Sequence, residues 1–257
     1  MKDRINRFTI IGGGSSGWLT ASLLMGVLNR RNDGPDVEIE LIESPTLPII
    51  GVGEATTFST FVSFAQLEIE ELDFLEHCDA TFKCAVRFDG WDTAPGGSPR
   101  SFYHPFDVAP LIFGVSPAYH YLRRQNRGIA QPPFAHTMSN SLSLADANRA
   151  PRAFDAEHYD ALVNYSYHLD AGLLSSYLKE FCTALGVRYI SDDVEGVTRN
   201  ENGFIESLDL QRGGVHPVEF VIDCSGFRSL ILREAMGEDF IPYGDHLLCD
   251  RALAVQM

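Results

Sequence analysis

The run Gly12-Gly13-Gly14-Ser15-Ser16-Gly17 constrains this chain more than any other feature, because of what flanks it. Before it stands Phe8-Thr9-Ile10-Ile11, a short, apolar, β-branched segment that reads as a buried strand. After it, Leu19, Leu23, Leu24, Val27 and Leu28 recur at helical spacing until Arg30-Arg31-Asn32-Asp33-Gly34-Pro35 breaks the pattern. Val37-Glu38-Ile39-Glu40-Leu41-Ile42-Glu43 then alternates apolar with acidic residues and stops at Ser44-Pro45. Strand, glycine turn, helix and strand make a βαβ unit. Gly12, Gly14 and Gly17 fall at the spacing at which backbone N–H groups approach a pyrophosphate at a helix N-terminus, with Ser15 and Ser16 in the same turn. Glu43 ends the second strand, where it can accept the ribose hydroxyls and where its charge opposes a 2′-phosphate. These residues point to a dinucleotide other than NADP.

The fingerprint alone does not separate NAD from FAD. Far downstream, Val218-Glu219-Phe220-Val221-Ile222-Asp223 reads as a strand that empties into Cys224-Ser225-Gly226. This second glycine turn, with Asp223 and Gly226, is placed to hold the far end of an extended dinucleotide, which suits FAD. The alternative for Asp223 is a strand-ending carboxylate that caps the helix starting near Ser229. A third glycine loop, Gly51-Val52-Gly53-Glu54-Ala55-Thr56, follows the ribose-binding strand and offers unpaired N–H groups to a cofactor or anion, or is a plain turn. Between residues 92 and 152 the chain is rich in Pro, Gly and aromatics with weak periodicity, which predicts an inserted, loop-rich lobe. Leu169 to Leu185 predicts an amphipathic helix ended by Gly186. Val187–Ile190, a hairpin around Asn200-Glu201-Asn202-Gly203, and Val218–Asp223 supply further strands. The expected fold is α/β: a Rossmann-like FAD-binding domain over residues 1–57 and 153–257, interrupted by a substrate-side lobe over 58–152. The last residues, Ala252 to Met257, read as an apolar strand without turn or cap, so the chain is expected to be a fragment.

Charge and composition exclude several classes. Lys plus Arg number 20 against 35 Asp plus Glu, a formal charge of −15 without a basic cluster, which opposes nucleic acid as a partner. No apolar stretch reaches 18 residues and no signal-peptide core follows Met1, so no membrane association and a cytoplasmic location are expected. The five cysteines lack CxxC spacing and the eight histidines are scattered, so no disulfide framework or metal site is expected and the cysteines are taken as small buried residues. Lys83 lies in the alternating segment Ala80–Phe88 among apolar and aromatic residues. A lysine desolvated there is shifted towards its neutral, nucleophilic form, whereas one on an edge strand simply reaches out to water. Phe102-Tyr103-His104-Pro105-Phe106 is either packing or a surface on which a flat apolar ligand stacks.

Taken together, these motifs resemble the flavin-dependent tryptophan halogenases. The resemblance rests on Gly12–Trp18, Gly51–Thr56, Phe82-Lys83 before Val86-x-Phe88-x-x-Trp91, Phe102–Phe106, Asp223–Gly226 and Tyr243-Gly244-Asp245-His246-Leu247-Leu248-Cys249-Asp250, in order along the whole chain. It implies that FADH2, supplied by a separate flavin reductase, reacts with O2 to a flavin hydroperoxide that oxidises chloride or bromide. The resulting hypohalous acid is then directed by Lys83, as hydrogen-bond donor or as haloamine, onto one carbon of an indole-like aromatic such as tryptophan. Gly51, Gly53, Glu54, Ala55 and Thr56 match the strap loop between flavin and substrate sites, and His104 and Phe106 match residues that sandwich the indole. The family's WxWxIP signature is absent, since the only tryptophans are Trp18 and Trp91, and the family extends beyond the length present here, which implies an N-terminal portion. Two other functions remain open at this point: an aromatic-hydroxylating flavoprotein monooxygenase, and a non-catalytic FAD-binding fragment.

Overall fold

A computed structural model describes residues 4–30, 37–48, 53–94, 96–251 and 253. From the N-terminus, β1 (Arg7–Ile11) leads into α1 (Ser15–Leu24), which loosens into a π-helical turn over Met25–Arg30 before β2 (Glu38–Glu43). Next come β3 (Gly53–Ala55), α2 (Phe58–Gln66), α3 (Glu71–His77), β4 (Thr81–Lys83), β5 (Ala85–Thr93) and β6 (Pro99–Pro105). Three short helices follow, α4 (Pro117–Gln125), α5 (Phe134–Met138) and α6 (Ser141–Asp146), and then β7 (Ser166–Asp170). The last stretch holds α7 (Ala171–Ala184), β8 (Arg188–Ser191), β9 (Val194–Arg199), β10 (Ile205–Leu210), β11 (Gly214–Pro217) and β12 (Phe220–Asp223). The chain forms two compact units, one of Met1–Gly53 with Asp170–Met257 and one of Glu54–Leu169.

The first unit is mixed α/β with a parallel sheet in the order β12-β1-β2-β8. Its central strands are covered on both faces, as parallel strands require, with Ile10, Ile39, Leu41 and Ile42 buried. Trp18 and Ala21 of α1 are buried as well, and α7 lies against α1 through Ser175 Oγ, 3.3 Å from Ser15 Oγ, and Cys182 Sγ, which donates to the Trp18 carbonyl. An antiparallel sheet β11-β10-β9 adds Val194, Leu208 and Leu210 to a core shared with Ile11, Ile42 and Leu230. The alternation that marks β2 as a strand also buries Glu40 completely. Its carboxylate accepts from Thr9 Oγ1 at 2.7 Å and Arg188 at 3.2 Å, and His216 Nε2 lies at 2.6 Å, so the buried charge is partnered. β11 is a strand that the sequence reading misses: it pairs antiparallel with β10, so the expected Val218–Asp223 strand is only β12. The Asn200–Gly203 hairpin forms, with the Asn200 side chain accepting from Asn202 and Phe204 N–H. The expected strand over 252–257 falls outside the described residues apart from Leu253.

The second unit packs a β3-β7-β4 sheet and a β5-β6 hairpin with the short helices. It is more regular than its composition suggests, because the pattern read as loop over residues 92–152 contains the end of β5, β6 and α4 to α6. Residues 153–169 also belong here rather than with the first unit, since Tyr165 and Tyr167 lie in an aromatic core with Phe61, Phe64, Phe74 and Phe82. Leu169 and Asp170 therefore end a strand instead of opening a helix, and the Asp170 carboxylate caps α7 by accepting from Leu173 N–H at 2.9 Å. The segment Ala80–Phe88 is not one strand either but breaks at Cys84 into β4 and β5.

At the centre of this core Glu71 is 0% exposed. It pairs with Arg152, accepts from the hydroxyls of Tyr165 and Tyr167, the latter at 2.9 Å, and takes the Tyr159 N–H. Burial, and then the carboxylate, push both tyrosine hydroxyls well above their ordinary range, so they stay protonated donors. Of the five cysteines, Cys78, Cys84 and Cys182 are buried as expected, whereas Cys224 is partly exposed and Cys249 exposed; all are free. Among the described residues no helix is long and apolar enough to cross a membrane. Glu71→Ala, which strands Arg152 in the core, is expected to lower the unfolding free energy by about 3–5 kcal/mol in denaturant titrations; a loss below about 1 kcal/mol would contradict the network's structural role.

Candidate functional site

The first group of candidate residues lies at the carboxyl ends of β1, β2 and β12. With β2 on one side of β1 and β12 on the other, this is the edge at which open α/β sheets generally bind ligands. Gly12 leaves β1 with φ +115°, donates its N–H to the Ile42 carbonyl at 2.8 Å, and approaches the second turn so closely that a Cβ would sit 2.2 Å from the Cys224 carbonyl oxygen. A Cβ on Gly17 would fall 1.8 Å from the Gly12 carbonyl oxygen, so α1 docks this tightly only with glycine there. Around Gly14, by contrast, nothing lies within 4 Å of a Cβ, and this residue caps α1 without any side-chain acceptor. The open space and the uncapped N–H groups of the first helical turn form a cradle of the kind that fits the pyrophosphate of FAD.

Ser16 Oγ and Thr20 Oγ1 lie 3.6 and 3.8 Å from Cys224 Sγ, which ties the two turns together. Glu43 ends β2 beside the cradle, and a Cβ on Gly13 would come within 2.3 Å of its side chain. Its Oε2 accepts from Lys179 Nζ at 2.8 Å, and that ammonium sits 3.7 Å from the centroid of the Tyr189 ring. Burial alone would lower the Lys179 pKa, but Glu43 and Tyr189 outweigh it and hold the pKa above its ordinary value. Asp223 is engaged by its own turn, accepting from Ser225 N–H at 3.0 Å, from Ser225 Oγ and from Ile231 N–H at 2.8 Å. Burial would raise its pKa; these hydrogen bonds prevail and keep it low. The capping alternative thus describes the Asp223 carboxylate, while Gly226, at φ +67°, opens the turn beside it.

The second group lies in the Glu54–Leu169 unit. Lys83, only 8% exposed, stands opposite Ser166 on the β4–β7 pair, with His168 two positions along β7 on the same face. Phe82 points to the other face, edge-on to Tyr165. Lys83 Nζ donates to the Thr56 carbonyl at 2.9 Å and lies 5.5 Å from the centroid of the Phe106 ring. Thr56 is pinned in turn, its N–H on the Tyr167 carbonyl and its hydroxyl on Ser166 and Tyr167. Among the described residues no carboxylate stands within ion-pair distance of Lys83, and burial lowers its pKa. His168 is lowered too, by burial of part of its ring and then by the Lys83 ammonium. Phe106 is thus brought to Lys83, whereas His104 stays exposed on β6 opposite Val86. Glu54 and Ala55 are exposed on β3, Gly53 opens that strand, and Gly51 lies outside the described residues.

The sequence pattern described as tryptophan halogenase matches residues 7–257. The chain belongs to the tryptophan halogenase family. It is 36% identical over 268 residues to the tryptophan 7-halogenase RebH of Lentzea aerocolonigenes, covering 100% of this chain and 49% of that protein. The crystal structure of a tryptophan halogenase from Shewanella frigidimarina superposes with a TM-score of 0.84 at 34% identity, over 94% of this chain and 46% of that one. The structure of Tar14, a tryptophan C-6 flavin-dependent halogenase, gives 0.81 at 34% identity over 93% and 47%. This halogenase-family chain therefore spans about half the length of the curated relatives it matches.

Sequence reasoning passed over Lys179, Tyr189, Thr20, Ser166 and His168. For Lys179 a signal was available: the chain has only three lysines, Lys2, Lys83 and Lys179, against 17 arginines. Gly17→Ala is expected to unfold the first unit or cost several kcal/mol in thermal melts, and Gly14→Ala to leave the melt unchanged. In proton NMR titrations His168 is expected to ionise below 6.5, and Lys83→Met to move it upwards. Because the unfolded chain then takes up that proton first, His168 weakens the fold as pH falls through 6.5.

Proposed function

We propose that this chain takes part in FADH2- and O2-dependent chlorination or bromination of an indole-like aromatic such as tryptophan, with Lys83 directing the halogen. The observation that carries this reading is the buried Lys83 ammonium, without a carboxylate partner among the described residues and held on the Thr56 carbonyl next to the Phe106 ring in a chain of this family. An ammonium paired with a carboxylate would be masked, whereas one held by a neutral carbonyl keeps donors for a neutral oxidant. In this reading the first unit is a Rossmann-like flavin-binding region and the second carries the substrate side.

Gly12, Gly14, Ser15, Ser16 and Gly17 hold the pyrophosphate on the α1 N-terminus, Glu43 the adenosine ribose, and the Gly226 turn the farther part of the dinucleotide. Gly51 to Thr56 serve as the strap loop. Reduced flavin, supplied by a separate reductase, would bring the two-electron activation of O2 needed to oxidise halide. Lys83 Nζ donates a hydrogen bond to the oxygen of hypohalous acid and turns its halogen towards the ring. The ring carbon forms the carbon–halogen bond as the halogen–oxygen bond breaks, the oxygen leaves as water with a proton from Lys83, and the neutral Lys83 amine then takes up the ring proton as aromaticity returns. Phe106 supplies a face on which the flat substrate stacks, and His104 closes the sandwich from β6. Coverage of about half of each relative favours a second reading, in which the chain alone binds flavin and halogenation needs residues outside it.

The test supplies the chain with FAD, a flavin reductase, O2, halide, and indole or tryptophan. Halogenated product is expected from the natural chain, and Lys83→Ala should lower it by at least about a hundredfold with FAD binding retained. Product independent of Lys83, or hydroxylated in place of halogenated, would refute the reading; FAD binding without product would favour the second one.

A further inference from the structure

Lys179 places a cation against Glu43 at the carboxyl end of β2. It projects from α7, a helix fixed at its start by the Asp170 cap and along its length by Ser175 against Ser15 and Cys182 against Trp18. Its ammonium has two partners, Glu43 Oε2 at 2.8 Å and the Tyr189 ring at 3.7 Å, and the ion pair is sheltered, with Glu43 16% and Lys179 34% exposed. The ring face and the carboxylate together confine the charge to one place, which a surface lysine pair does not achieve. Glu43 is confined as well: the side chain runs across Gly13, where a Cβ would lie 2.6 Å from Oε1. One carboxylate oxygen is thus committed to Lys179 and the other turned towards the glycine cradle. Gly13 is not among the three glycines of the fingerprint, so its lack of a side chain answers to Glu43 rather than to the pyrophosphate.

We propose that Lys179 is the specificity-determining partner of Glu43: it holds the carboxylate in place for an unphosphorylated ribose, and Glu43 in turn keeps a ready-made 2′-phosphate receptor occupied. This rests on the reading of the cradle as an FAD site. An unphosphorylated ribose donates its hydroxyls to Glu43 Oε1 without disturbing the pair. A 2′-phosphate meets that carboxylate as a like charge and finds the ammonium already taken. Removing the Glu43 charge frees Lys179 beside Tyr189, where a single ammonium serves as a point-charge anchor for phosphate.

The experiment measures binding of FAD, 5′-ADP and 2′,5′-ADP by calorimetry to the natural chain and to Lys179→Met, Lys179→Arg, Glu43→Gln and the Glu43→Gln/Lys179→Met double variant, each checked for folding by circular dichroism. The natural chain is expected to bind FAD and to favour 5′-ADP over 2′,5′-ADP. Lys179→Met should weaken FAD by about tenfold and Lys179→Arg should restore most of it, while Glu43→Gln should shift the preference towards 2′,5′-ADP by at least about tenfold. That shift should vanish in the double variant, because it depends on the freed ammonium. Unchanged selectivity in Glu43→Gln, or a shift that survives loss of Lys179, overturns the inference and leaves the FAD reading standing. Failure of the natural chain to bind either FAD or 5′-ADP overturns both.

Discussion

The close approach of Gly17 to the Gly12 carbonyl is the constraint on which the first unit depends. With a side chain at either position, α1 could not start where it does, directly over the end of β1. Because it starts there, its first N–H groups face the carboxyl edge of the sheet, and Trp18 and Ala21 reach the core. Gly12 also brings the Cys224 turn against the first turn, which puts β12 beside β1 in register, Ile11 opposite Asp223. A few ångströms of missing side chain thus decide where the cradle opens and what lines it.

Each of the two units also contains a carboxylate with no exposure, and each handles it by full partnering. Glu40 gathers Thr9, Arg188 and His216; Glu71 gathers Arg152 and two tyrosine hydroxyls. Such groups tie elements together because an unpartnered charge in a core is far more costly than a partnered one. Lys83 breaks this pattern. It is a buried cation that donates to a neutral carbonyl, with no carboxylate in ion-pair reach among the described residues, and burial lowers its pKa. Burial that is not offset by an opposite charge sets Lys83 apart from Lys179, whose pKa is raised beside Glu43.

Local patterns were legible where they carried their own punctuation. The βαβ unit, its glycine turn and the Asn200–Gly203 hairpin are written in residues within a few positions of one another. Reading failed where the deciding partner was remote. Leu169 and Asp170 continue a helical pattern, yet β7 takes them because Tyr165 and Tyr167 are wanted in the aromatic core. The break at Cys84 follows from two different pairings, β4 with β7 and β5 with β6. His104 and Phe106 receive different surroundings in folding, one left exposed on β6 and the other brought to Lys83.

The sequence by itself determined the class of the fold, the glycine cradle and the family to which the motifs point, since these depend on residue types at short spacing that few backbones accept. It also marked Lys83, Glu43 and Asp223 as candidates, because charge among apolar neighbours is visible in one dimension. Only the tertiary structure decided what each of them is bonded to. Thr56 reaches Lys83 across 27 positions and Lys179 reaches Glu43 across 136, while Asp223 turns back on its own loop. Hydrogen bonds and ion pairs act over about 3 Å regardless of separation along the chain, so the chemistry of a charged side chain is settled only when folding chooses its neighbours.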